Sequence, residues 1–215
     1  MKLISIASKR NILMLGMVLL AASFKVIAQT SDDPLATWDK SVLKQANTAA
    51  SVTYLSDEEK KLIYYTNLCR LQPKLFCQTV LEDYLKQHPD QVKGSLGLKR
   101  TLLADKTCGA LVPDEEMSKM SNTFAKKMGV EGKEGHPDFE SRMKPFMGRY
   151  HKVGENCDYG SNIALDAFMH LLIDQSDPVN LGHRKNILDA GFKAIGVALA
   201  PHKTYRWNFV MDFGG

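Results

Sequence analysis

"GENCDYG" at residues 154–160 and "LGHRKNIL" at residues 181–188 are the stretches on which the fold of this chain turns. Each sets a polar residue able to do chemistry beside a glycine, in surroundings that read as the inside of a small globular domain. Glu155 and His183, with His136 in "EGHPDF", are the residues in question. An unpartnered polar group taken out of water costs a few kcal/mol. These side chains therefore either satisfy one another as structure or form a site.

Downstream of both stretches, "KAIGVALA" and "YRWNFVMDF" are β-branched and apolar and read as two strands, joined by a short turn containing Pro201. Between the stretches, a helix is expected over Ile163–Asp174, with Ala164, Ala167, Phe168, Leu171 and Leu172 apolar. Upstream, Met117, Met120, Phe124 and Met128 recur at helical spacing after Asp114, and Gly129 is the expected stop. That methionine stripe reads as core filling. The glycine-rich, polar run from Gly129 to Asn156 reads as a long ordered loop, a length that often carries function.

Further back, "SDEEKKLIYYTNLCRLQP" begins with a capping box, Ser56 with Glu59, and ends at Pro73. Leu62, Thr66 and Cys69 share its inward face. Pro73 can open a second helix carrying Phe76, Val80 and Tyr84. Residues 29–55 read as an extended arm with one short helix near Trp38–Asn47. Several helices before a terminal antiparallel strand pair indicate an α+β sandwich.

The first 28 residues read as a cleaved export signal. Lys9 and Arg10 precede an uncharged apolar run from Ile12 to Phe24, and "VIA" ends at Ala28 with the small residues that cleavage requires. As a helix the run would reach about 20 Å, short of the ~30 Å hydrocarbon core, so a retained anchor is the lesser reading. No second apolar run suits a membrane span. The leader carries Lys2, Lys9, Arg10 and Lys25 and no acid, which leaves 24 basic and 24 acidic residues in the remaining 187. A nucleic-acid binder should show a basic face, and none is visible.

Cys69, Cys77, Cys108 and Cys157 would meet an oxidising compartment after export, but three pairings are open and the sequence does not choose among them. No C-x-x-C spacing suggests a thiolate zinc site. There is no G-x-S-x-G elbow and no H-E-x-x-H helix.

Taken in order, "NLCR", "GHP", "GEN", an alanine-containing helix, "GHRKNIL", "IGVALA" and "NFVMDF" resemble the CAP domains: cysteine-rich secretory proteins, antigen 5 and plant pathogenesis-related proteins, with secreted bacterial relatives. The resemblance covers about residues 56–213, and "R-x-NIL" directly after the second histidine is similar to the bacterial branch. It implies one CAP domain over 56–215, built as an α+β three-layer α-β-α sandwich with a small antiparallel sheet. It also implies a cleft holding two histidines and two acids. Carried over residue by residue, these are His136, Glu155 and His183, with Asp174 in the fourth place and His170 as its rival.

Two histidines and an acid make a zinc set with an open position, His136 and His183 being the ligands; no cofactor is required by the sequence. Glu155 is then the candidate base of a metal-dependent hydrolase acting on envelope or extracellular material. The other reading is a secreted or periplasmic binding module, not an enzyme. Its partner would be a small apolar or lipid-like ligand or an envelope component, with weak divalent metal binding. A structural or adhesive role with an idle cleft is the third.

Overall fold

The structure, a computed structural model, describes residues 33–104 and 106–215. The leader and its cut at Ala28 lie outside the described residues. From Asp33 onward the expected arm is not extended. Trp38, Ala46, Ala49 and Leu55 are buried, and the Trp38 indole N–H donates to Thr79 Oγ1 at 3.0 Å. Apolar side chains in this polar stretch fold it back onto the core. Helix α1 (Lys40–Ala46) lies within it, started by the Asp39 side chain.

Helix α2 (Asp57–Leu71) begins at the Ser56–Glu59 capping box, with both reciprocal bonds made, and buries Leu62, Thr66 and Cys69. The chain turns at Pro73 into α3 (Pro73–Phe76), a π-turn (Cys77–Leu81) and α4 (Glu82–Gln87). Phe76, Val80 and Tyr84 point inward from this run. Helix α5 (Val92–Ala104) follows, inserting Leu98 and Leu102.

After the two-residue strand β1 (Val112–Pro113) comes α6 (Glu115–Glu131), capped by the Asp114 side chain. Gly129 does not end it. The helix runs on to Gly132, whose left-handed backbone (φ 68°) closes it. Gly129 serves packing instead, since a Cβ there would collide with the Pro201 carbonyl. The expected long loop contains α7 (Phe139–Met143), a 3₁₀ turn and the first residues of strand β2 (Val153–Tyr159). Then come α8 (Ala164–Ile173), α9 (Gly182–Leu188), β3 (Ala194–His202) and β4 (Arg206–Gly214). Pro201 sits inside β3, not in the turn, which is formed by residues 203–205.

The sheet order is β1-β3-β4-β2. The three long strands are antiparallel, and β1 adds a short parallel edge. Helix α6 covers one face, where Phe124, Ala125 and Met128 meet Ala198, Ala200 and Val210. Helices α2 and α8 cover the other, in the core that also holds Phe168, Ile195, Val197, Phe209, Met211 and Phe213. This is the α+β three-layer sandwich. Strand β2 therefore sends Glu155 and Cys157 toward the α6 side and Asn156 and Asp158 toward the α8 side.

Candidate functional site

The site is built around β2. Glu155 lies opposite Asp212 of β4, and only 1% of its side chain is exposed. Its carboxylate accepts from His136 Nδ1 at 2.8 Å and from both terminal nitrogens of Arg142, at 2.6 and 2.9 Å. Arg142 comes from α7, and its guanidinium lies 3.5 Å over the ring of Phe124. Burial pushes the Glu155 pKa up, but the hydrogen bonds from His136 and Arg142 and the guanidinium charge outweigh it. The net direction is below the ordinary carboxylate value.

Asp212 is fully buried and behaves in the opposite way. Desolvation, then the charge on Glu155, push its pKa well above the usual range. Ser121 Oγ is 2.8 Å from Met117 O and 2.6 Å from Asp212 Oδ2, and its single proton can go to either. Burial and the neighbouring charge thus favour a neutral Asp212 beside a charged Glu155, where Arg142 meets it.

Cys157 is also buried, its Sγ 3.8 Å from His136 Nδ1. Burial, then Glu155 and Asp212, push the thiol well above its ordinary pKa. It is a thiol, not a poised nucleophile.

His183 and Asp174 form a separate pair, Nδ1 to Oδ1 at 2.8 Å. Asp174 is buried at the end of α8 in a left-handed conformation, and its Oδ2 accepts the Arg184 N–H at 3.2 Å. The Arg184 side chain turns inward. It is buried and donates to the carbonyls of Leu172 and Ile173, the last turn of α8, where the helix dipole favours a cation. Asn156 bridges β2 to α9, donating to His183 O and accepting from Asn186. His170 pairs not with His183 but with Asp158, at 3.1 Å. The Asp158 hydrogen bond raises the His170 pKa.

Among the described residues, His136, Glu155 and Cys157 have ligand atoms within 4.8 Å of one another and could hold a metal ion. The set of His136, His183 and Glu155 expected from the sequence is not the compact one; Cys157 stands in place of His183. By charge the fit is poor. A cation here would have to displace Arg142 from Glu155 and a proton from a high-pKa thiol. A cleft of about 300 Å³ opens on the α8 side, lined by Cys157, Asp158, Tyr159, His170, Leu171 and His183 among others.

Sequence reasoning did not find Arg142, Asp212 or Asp158. Asp212, the lone acid of the apolar run "NFVMDF", and Asp158, the second acid of "GENCDY", were the available signals.

Three solved structures are similar to this chain. A Bacillus anthracis extracellular protein containing an SCP domain is 15% identical, with a TM-score of 0.42 over 73% of this chain; the chain spans 40% of that protein's length. An outer surface protein of Borrelia burgdorferi is 17% identical, with a TM-score of 0.41, 62% of this chain and 92% of that one being covered. Venom allergen-like protein 4 of Schistosoma mansoni is 13% identical, with a TM-score of 0.48 and coverage of 74% and 89%. A comparison with curated proteins finds no match. The model of the cysteine-rich secretory protein family matches residues 65–213, a span that contains His136, Glu155, Asp174 and His183. The ordered motifs, the three-layer sandwich and this match agree, and the chain belongs to the cysteine-rich secretory protein (CAP) family.

Proposed function

We propose that this protein is a binding module acting outside the cytoplasm, released by cleavage after Ala28, with one CAP domain over residues 56–215 as its working part. The observation that carries the reading is the state of Glu155. A general base needs an available lone pair and a pKa near the working pH. Glu155 has its oxygens committed to Arg142 and His136, and its pKa is held down. It is a clamp between α7 and the sheet. Among the described residues no helix is long and apolar enough to cross a membrane.

The cleft beside β2 is where a ligand fits. His170 and His183 each commit Nδ1 to a carboxylate and keep Nε2 for a ligand, while Leu171 and Ile173 supply apolar wall. That mixture suits a small lipid-like molecule with a polar head, or an envelope component of the same chemistry.

The test uses protein recovered from its native host, whose N-terminal sequence should begin at or near Gln29. A fluorescent fatty acid should bind saturably, and the surface variant His170→Ala should weaken it by about tenfold, a change of ~1.4 kcal/mol. Zinc alone should bind weakly, and ester and peptide substrates should not turn over. Hydrolysis that Glu155→Gln abolishes while the variant keeps its stability would overturn the reading. Failure of the fatty acid to bind would remove the lipid-like ligand from it.

A further inference from the structure

A groove of about 440 Å³ runs along the free edge of β3, between α6 and the residues that lead into α2. Val197 and Leu199 of β3 are among the residues that line it. In an antiparallel ladder, a residue that turns its N–H away from the partner strand turns its carbonyl the same way. The Val197 N–H goes to Ser118 Oγ at 3.3 Å, and the Leu199 N–H goes to Glu59 Oε1 at 2.8 Å. Both donors of this edge are spent inside the protein. Pro201, the next residue facing outward, has no N–H. The Leu199 carbonyl is in a different state: Leu199 is half-buried, and among the described residues no donor is bonded to its oxygen, whereas Val197, 1% exposed, presents none.

The edge therefore offers an acceptor and no donor. A docking β-strand needs donors and acceptors in alternation and would find no donor here. A ligand bearing hydroxyls needs only the acceptor. The walls favour the same class. Tyr54, 37% exposed, and the half-buried Trp207 line the groove. The Asn122 amide and the Lys126 ammonium project from α6, neither bonded to another described residue. A pyranose presents a flat C–H face to an indole or phenol ring. Its hydroxyls donate to carbonyls, and its oxygens accept from an amide or ammonium.

We infer that this groove binds an oligosaccharide chain, at a site separate from the cleft beside β2. The volume falls within the ~300–1,000 Å³ of small-ligand sites. Trp207 supplies the stacking face, the Leu199 carbonyl takes a hydroxyl proton, and Asn122 and Lys126 hold the sugar oxygens.

The experiment is an NMR titration of the isotope-labelled protein with tetrasaccharides of N-acetylglucosamine and of glucose. At least one should give saturable shifts confined to residues 54–59, 118–126, 197–199 and 207. Trp207→Ala should weaken binding about tenfold, as loss of a stacked aromatic anchor does. Asn122→Ala, on an accessible face of α6, leaves the fold intact and should weaken it about threefold through one lost hydrogen bond. Three results would overturn the inference: no saturable shift with either sugar, shifts that map to residues 157–183, or unchanged affinity in both variants. A sugar bound beside β2 would leave the cleft reading standing and remove this one.

Discussion

Arg70→Met should cost about 3–5 kcal/mol of stability, because several buried carbonyls lose their donor at about 1–3 kcal/mol each. Arg70 is fully buried on α2, and among the described residues no carboxylate forms an ion pair with it. Its guanidinium donates to four carbonyls: Gly109 at 2.9 Å, Ile187 at 2.8 Å, Asp189 at 2.9 Å and Phe192 at 3.0 Å. One side chain thus ties α2 to the segment before β1, to the end of α9 and to the start of β3. Methionine fills the volume and leaves all four oxygens without that donor. For a domain of this size the loss corresponds to roughly 6–20 °C in Tm. Arg70→Lys should fail as well, because a compact ammonium cannot reach carbonyls spread around a planar fork. Urea denaturation followed by circular dichroism reads both variants. A loss below about 1 kcal/mol for Arg70→Met, the net worth of a single ordinary hydrogen bond, would refute the cross-link.

Glu155→Gln should also destabilise strongly, by about 3 kcal/mol, because it strands the Arg142 guanidinium beside a neutral amide. The pH dependence separates this carboxylate from its neighbour. Glu155 has a lowered folded pKa, so its contribution is present above the unfolded value near ~4.3 and is lost as pH falls through the folded one. Asp212 has a raised folded pKa, so its contribution is complete below ~3.9 and is lost as pH rises toward the folded value. Glu155→Gln should therefore remove part of the acid-side fall in stability. Asp212→Asn, which keeps a donor and an acceptor but cannot ionise, should flatten the decline on the alkaline side. Denaturation curves from acid to mildly alkaline pH measure both slopes. If Asp212→Asn steepened the alkaline decline, Asp212 would be the ionised member and the proton assignment would be wrong.

These two clusters show where local reading stops. The Ser56–Glu59 box was legible because both partners lie within one helical turn. What no local rule contained is that Glu59 also reaches Leu199 of β3, 140 residues away. Helix α5 escaped because Gly94 and Gly97 each cost about 1 kcal/mol of helix propensity, and packing of Leu98 and Leu102 overrides that. Strand β2 escaped because "GENCDY" lacks apolar alternation; both of its faces are covered, one by α6 and α7 and one by α8 and α9.

The amino-acid order by itself determined the helical faces, the terminal strand pair and the ordered set of His136, Glu155 and His183, since each rests on periodicity, capping or motif sequence. Tertiary structure decided what those residues do. Register placed Asp212 beside Glu155, α7 delivered Arg142 from 13 residues away in the chain, and the end of α8 turned Asp174 onto His183. The physical reason is one of range. Propensity and capping act over one or two turns, whereas the pKa and chemistry of a buried group are set by whatever charges and donors packing brings within a few ångströms.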